Sequence, residues 1–542
     1  MKSLTQHKIK LALILVILLA AILRLVNLAN FPAGLNADEA AIGYNAYSLI
    51  HTGKDEYGAT LPLTFKSFGD YKPGLYFYFV APFVALLGLN EWAVRIPAAL
   101  FSIATVLLIY LLGKKVFNNE AIGLLAAFLL SISPWHLQFS RGGWESNVAT
   151  FFITLGVYLF INGLEKPKFF IWSLISFILA MYIYQSPRLT VPLLILGLLI
   201  YYRKHFLNLK IKIKVILLIV GLLVLPVLWQ FSGGGTVRFS GLSFLSDLGP
   251  VNRTNQLIGE HSDLFLFSKL IHNKITTFGP VFLGHYLDHF KSDFLFINGD
   301  EVARNKIPET GQLYLIEMLF LLMGIFYLMR DSIKNKFIIF WWLLTAPLAS
   351  ALTFQTPSAL RSLTMVIPLT LILALGLYKI SVFFKPQKVK ILLISCMGLI
   401  ILFEFTRYLF SYYLIYPKRY PLAFEYGFSE MVQKLNKYEG NYQKVVITDR
   451  YDQPYILVLF YKQYNPAKYQ PQAKLSPRDQ FNFGTIRAFD KYEFREPAVN
   501  ELTNKNTLFI MSGEKAPKDV KIIDQVNFPN GEPAFIFIDG GK

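Results

Sequence analysis

Apolar residues in this sequence come in blocks close to the length of a bilayer crossing, and the blocks recur down to about Tyr408. The first, Leu11 to Leu23, carries no charge. A helix needs roughly 20 apolar residues to cross the hydrocarbon core, and backbone survives in lipid only as helix or closed barrel. The blocks read as spans near 8–28, 96–112, 121–138, 147–163, 168–184, 189–202, 213–230, 312–329, 336–353, 361–383 and 389–410. Composition agrees. Of 542 residues, 54% are hydrophobic and only 16% charged, and the mean hydropathy is +0.43, which excludes a soluble enzyme of this length. Arg24 interrupts the end of the first block and no small-residue cleavage site follows it, so it reads as a span and not as a cleaved signal.

Basic residues sort the loops. Lys114 and Lys115; Lys166 and Lys168; Arg203, Lys204, Lys210, Lys212 and Lys214; Arg330, Lys334 and Lys336; and Lys385, Lys388 and Lys390 fall in alternate loops, and Lys2, Lys8 and Lys10 precede the first span. Such charge is retained on the cytoplasmic side. The clusters share one side only if the apolar stretch Leu75 to Leu89 does not cross, and Pro73, Gly74, Pro82 and Gly88 weaken it as a spanning helix. It is therefore read as a helix lying at the outer interface. Eleven spans result, with the N-terminus inside and segments 29–95, 139–146, 185–188, 231–311, 354–360 and everything beyond about 411 outside. The net charge of +18 is then a topological signal, and nucleic acid is not an expected partner. The single cysteine, Cys396, excludes an intramolecular disulfide and a Cys-rich metal site.

The unusual polar residues fall in the outer segments. Asn36-Ala37-Asp38-Glu39 follows the first span, where adjacent carboxylates are expensive unless hydrated or used. Asp38 is either a general base or the N-cap of a helix starting near Ala40. Asp70-Tyr71-Lys72-Pro73-Gly74 opens the interfacial helix, with Pro73 favourable near its start. Lys72 there meets a phosphate or anchors to lipid headgroups. In the run Glu91-Trp92-Ala93-Val94-Arg95-Ile96-Pro97, Arg95 heads the second span and either grips a phosphate or snorkels. Ser140-Arg141-Gly142-Gly143-Trp144-Glu145 is a short outer loop. Arg141 is a cation on the side topology disfavours, and Glu145 is a third carboxylate, placed to orient Arg141 by a bidentate pair.

In the loop 231–311, Gly233-Gly234-Gly235 reads as a hinge and not a nucleotide loop, since no P-loop Lys-Ser/Thr follows. His285 and His289 pair as metal ligands sometimes do, but loop histidines near a membrane commonly have no ligand role. No metal site or cofactor is expected, with a divalent ion left open. Phe294 to Glu301, with Arg304, reads as a lid, and Ser358 and Arg361 sit at the outer end of the tenth span. From about 417 the charges become mixed and frequent. Strand-like runs at 444–448, 507–511 and 534–538, after a helical run near 428–435, read as a small α/β domain. The chain thus divides into a transmembrane domain, 1–416, and an extracytoplasmic α/β domain, 417–542.

Taken in order, Ala37-Asp38-Glu39, Asp70-Tyr71-Lys72-Pro73-Gly74, Glu91 to Pro97, and Ser140-Arg141 with Glu145 resemble the GT-C glycosyltransferases that use polyprenyl-phosphate sugars. Protein O-mannosyltransferases, aminoarabinose-lipid A transferases and rhizobial core-sugar transferases are the similar groups, and the likeness is clearest over about 8–230. It implies a GT-C-like α-helical polytopic membrane fold, a catalytic acid at Asp38 or Glu39, and a second at Glu145, where many relatives have Asp in another register. The charge developing on the leaving phosphate of such a donor needs cations, and Lys72, Arg95, Arg141 and Arg361 are the candidate donor-binding residues, with Arg304 next in line; the acceptor is a lipid, glycan or protein. Relatives usually carry Pro-Pro where this chain has Pro73-Gly74. The C-terminal region does not resemble the β-trefoil insert of eukaryotic protein O-mannosyltransferases, which argues against a protein acceptor. A single base and no covalent intermediate imply inversion at the anomeric carbon. The main rival is a lipid flippase or transporter, which needs ionisable groups deep in spans. The notable ones are Glu317 and Glu404, and Arg407, one turn on, is the expected partner of Glu404.

Overall fold

The computed structural model describes residues 2–208, 248–261, 265–384, 386–479, 483–515 and 520–540, with isolated positions between them. Most of the span expected at 213–230, the glycines 233–235 and Lys210, Lys212 and Lys214 lie outside the described residues.

Helices dominate the described residues, and the chain has a polytopic membrane fold. The N-terminal half runs α1 (Lys2–Leu25), α2 (Ala37–Thr52), the hairpin β1 (Thr64–Ser67) and β2 (Asp70–Pro73), α3 (Leu75–Leu87), α4 (Glu91–Phe117), α5 (Glu120–Ile132), α6 (Pro134–Ser140) and α7 (Glu145–Gly163). Among the described residues, Glu91–Phe117, Glu145–Gly163, Leu363–Phe383 and Gln387–Arg419 are long and apolar enough to cross a bilayer. α5 and α6 make a broken pair bent by 58°. The break falls at Ser133, extended at φ −56°, ψ 124°, because the ring of Pro134 disfavours a helical residue before it. α3 has 13 residues, a rise of about 20 Å, short of the ~30 Å hydrocarbon core. The residues before it form a strand instead of opening the helix, with Phe65 opposite Lys72 and Ser67 opposite Asp70.

The chain forms two compact units. One comprises Met1–Ile17, Thr105–His136 and Ala149–Phe405; the other comprises Leu18–Ala104, Leu137–Val148 and Thr406–Lys542. The C-terminal region therefore shares a unit with residues 29–95, a division that cuts across the expected boundary at 417.

In the first unit, helices Glu317–Arg330 and Val366–Phe383 cross through glycines. A Cβ on Gly376 would lie 1.9 Å from the Phe320 carbonyl oxygen, and one on Gly324 2.0 Å from that of Ile372, the close approach that small residues give membrane helices. Glu404, expected beside Arg407, accepts from the amides of Leu315 and Ile316 at 3.1 and 3.3 Å, and Glu317 accepts from that of Tyr314 at 2.9 Å. Both carboxylates serve orphan N–H groups at the start of one helix, where an anion is favoured. The buried His289 hydrogen-bonds Ser350 Oγ at 2.8 Å through Nε2 and the His285 carbonyl at 2.9 Å through Nδ1. Burial pushes its imidazole down to about 4. His285 lies 3.3 Å from the Ala351 carbonyl through Nδ1. These bonds account for the two histidines as packing groups.

In the second unit the C-terminal sheet has the order β4-β5-β3-β6-β8-β7. Its strands are β3 (Lys444–Ile447), β4 (Ala488–Phe489), β5 (Tyr492–Phe494), β6 (Thr507–Ser512), β7 (Ile522–Asn527) and β8 (Pro533–Asp539). β3 runs parallel to β5 and β6, and the other pairings are antiparallel. Helix Phe428–Tyr438 precedes β3 and helix Pro454–Lys462 follows it.

Candidate active site

The site is built on the N-terminus of α2. Its N-cap is Asn36, which closes a capping box with Glu39. Asp38, expected as a possible cap near Ala40, instead stands in the first turn of the helix. The two adjacent carboxylates then diverge. Glu39 is buried, and its carboxylate accepts from Arg95 Nε at 2.9 Å, Arg95 Nη2 at 3.2 Å, Gly143 N at 2.8 Å, Asn36 N at 3.3 Å and Asn36 Nδ2 at 3.0 Å. Five donors fill the roughly four lone-pair sites of a carboxylate. Glu39, an expected catalytic acid, is left no acceptor for a substrate proton. Asp38 keeps 40% of its side chain exposed and is ion-paired to Lys72, whose side chain is 9% exposed.

The hairpin that carries Lys72 turns through Phe68 and Gly69, both at positive φ, 54° and 84°, as a two-residue I′ loop requires. The C-terminal domain finishes this turn. Gly484 N donates to the Phe68 carbonyl at 2.9 Å, and Arg478 Nη2 donates to that of Gly69 at 2.7 Å. The Phe68 ring lies 5.8 Å from the Lys72 ammonium and edge-on to Tyr455 at 6.2 Å.

Two arginines expected to face a phosphate are committed elsewhere. Besides Glu39, Arg95 donates to the carbonyls of Leu28, Ala29 and Pro32 at 3.0, 3.1 and 3.0 Å, and to that of Gly34. Arg141 reaches the carbonyls of Leu23, Val26, Asn27 and Phe31 and the Tyr412 hydroxyl, at 2.6 to 3.3 Å. Its orientation comes from these oxygens and not from the expected pair with Glu145. The physical reason is the end of α1: the last carbonyls of a helix have no partner within it and attract a cation. Glu145 opens α7, is itself buried, and has Tyr76 within its field. Gly34 fixes the same loop. Its φ is +98°, and a Cβ there would lie 2.0 Å from the Phe424 carbonyl oxygen. A cavity of about 1000 Å³ flanks the loop, with Gly34, Glu91, Tyr413, Lys418 and Tyr461 among its lining residues.

Asp38, Glu39, Lys72, Arg95, Arg141 and Glu145 thus fall in one compact unit, and Arg304 and Arg361 in the other. Arg361 donates to Thr353 Oγ1 at 3.2 Å and the Gln355 carbonyl at 3.1 Å. Sequence reasoning missed Glu56, Tyr455, Arg478 and Gly484. Asp55-Glu56 is a second pair of adjacent carboxylates between the first two expected spans and offered a signal; the other three sit in a region without motif.

Residues 71–229 match the family model described as dolichyl-phosphate-mannose-protein mannosyltransferase. A stretch of 140 residues, 26% of this chain, is 29% identical to 19% of YkcB from Bacillus subtilis (strain 168), itself named as a candidate mannosyltransferase. A stretch of 103 residues, 19% of this chain, is 30% identical to 21% of an uncharacterized protein of Aquifex aeolicus (strain VF5). The chain therefore spans about a fifth of the length of these curated relatives. In fold, 97% of the chain superposes on 97% of ArnT from Cupriavidus metallidurans bound to undecaprenyl phosphate, with a TM-score of 0.56 at 9% identity. The same coverage of apo ArnT gives 0.52 at 11%. Lys72, Arg95, Arg141 and Glu145 lie inside the segment that the family model matches, and the chain shares its fold end to end with ArnT.

Proposed function

We propose that the protein is a glycosyltransferase that moves a sugar from a polyprenyl-phosphate donor to an acceptor hydroxyl on the outer face of the membrane, with inversion. The observation that carries this reading is the Asp38–Lys72 pair, a half-exposed carboxylate beside a nearly buried ammonium at a helix start. Asp38 accepts the proton of the acceptor hydroxyl as its oxygen bonds to the anomeric carbon. The bond from that carbon to the phosphate oxygen breaks, and the polyprenyl phosphate leaves with the electron pair. Lys72 stabilises the charge gathering on that phosphate. ArnT was crystallised with undecaprenyl phosphate, and the matched family is described by its dolichyl-phosphate-mannose donor; a lipid-phosphate donor for this chain rests on that likeness. Arg95 and Arg141 act as scaffold in this scheme. Arg304 and Arg361 remain candidate donor ligands, and Glu145 the alternative base.

Purified protein in lipid, given a panel of polyprenyl-phosphate sugars and glycan or lipid acceptors, is expected to release polyprenyl phosphate. A flippase would move the donor across the bilayer and release none, so transport without release overturns the reading.

The outer placement of the site rests on the sorting of basic loops. In a Cys396→Ser background, cysteines at the exposed positions Lys166 and Lys505 are expected to label from opposite sides of the membrane. Labelling of both from one side overturns the topology.

A further inference from the structure

Glu56 is a fully buried carboxyl with no part in the transfer described above. Its amide donates to Asn45 Oδ1 at 2.8 Å, and Asn45 Nδ2 donates back to its Oε1 at 3.1 Å. The Tyr455 hydroxyl, from the helix after β3, reaches its Oε2 at 3.5 Å and lies 3.3 Å from the Tyr57 hydroxyl. Lys72 acts on it electrostatically from β2, and the Phe68 ring lies between reach of Lys72 and of Tyr455. The remaining titratable groups in its field are Asp55 beside it, Tyr44 on α2, and Tyr57, Tyr455 and Tyr469. Lys66 acts on Asp55 from β1.

A carboxyl whose task was only to bridge α2 to the C-terminal domain would do as well as an amide, and an amide carries no risk of a buried charge. Buried acids beside a catalytic pair recur where a site must keep a proton at neutral pH. We propose that Glu56 is a positioning residue, which sets how the Lys72 ammonium divides itself between Asp38 and the donor phosphate. While Glu56 holds its proton, Lys72 faces one carboxylate, Asp38, and the phosphate. When Glu56 ionises, a second anion competes for the ammonium and repels the donor. Burial pushes this carboxyl up to about 8, with Asp55 adding to the rise and Asn45, Tyr455 and Lys72 opposing it. The switch therefore falls on the alkaline side of neutrality. The inference rests on the transferase reading above.

The test is donor kcat and KM of the full-length protein in lipid across pH, per folded molecule. In the wild type, kcat/KM is expected to fall about fivefold from pH ~8 to ~9, mainly through KM. Glu56→Gln should match the wild type within about twofold near neutrality and hold its plateau through that window. Tyr455→Phe removes a hydrogen bond that favours the ionised form, so its fall should move to higher pH; this variant decides the matter if Glu56→Gln fails to fold. Superimposable profiles for all three proteins overturn the proposal and leave Glu56 a structural bridge. Loss of kcat at every pH in a folded Glu56→Gln also overturns it, by making the group a direct participant. No release of polyprenyl phosphate by the wild type at any pH sinks the transferase reading itself, a result distinct from release with unchanged profiles.

Discussion

Asp38→Asn is expected to lower turnover by about 10²-fold or more, the usual range for losing a positioned base, while the protein folds as before. Asparagine keeps the size of the side chain and an oxygen for Lys72, and removes the basicity together with the charge of the pair. The position tolerates the change because the Asp38 side chain is 40% exposed and the cap of α2 is made by Asn36. Release of polyprenyl phosphate and a thermal melt of the same preparation check both halves of the expectation. Near-normal turnover in a folded variant would move the role of base to Glu145.

One residue further on, the outcome is expected to reverse. Glu39→Gln should lose about 3–5 kcal/mol of stability, the range for removing one partner of a buried ion pair. Arg95 would keep its charge at a site with no exposure. The new amide group would also point its own N–H bonds at Arg95 or at Gly143 N, which now donate to the carboxylate. Against a usual total of about 5–15 kcal/mol, the loss should show as a sharply lower melting temperature and poor recovery from membranes. A Glu39→Gln protein that melts like the wild type but does not turn over would exchange the roles of the two carboxylates.

How far the sequence disclosed this arrangement depends on what each feature is made of. Apolar blocks and basic loops are one-dimensional signals, and they were sufficient for a polytopic membrane chain. The strands expected at 444–448, 507–511 and 534–538 are β3, β6 and β8, which are mostly buried. β7 alternates little and is largely exposed, and β4 and β5 are only two and three residues long, so none of these shows a continuous apolar run. At the site, residue type and order picked out the loops that carry Asp38, Lys72, Arg95 and Arg141 but not the partners of these residues. Locally, only the capping-box spacing of Asn36 and Glu39 tells the two carboxylates apart; the rest of the difference is made by Arg95 and Gly143, which lie far along the chain. The partners of Arg95 and Arg141 are hidden from the sequence for the same reason. A cation on the outer side suggests a ligand, whereas Arg95 and Arg141 face backbone carbonyls of the segment 23–34 that no sequence pattern marks.

The turn beneath Lys72 is closed by Arg478, which lies 409 positions after the glycine it holds. Synthesis proceeds from the N-terminus, so the membrane helices and the acidic loop are all made before the residues that finish the lysine's hairpin. A chain released early carries both members of the Asp38–Lys72 pair and lacks the strap that sets their geometry. Assembly of the site is thereby tied to completion of the polypeptide, and an interrupted product enters the bilayer without a finished site.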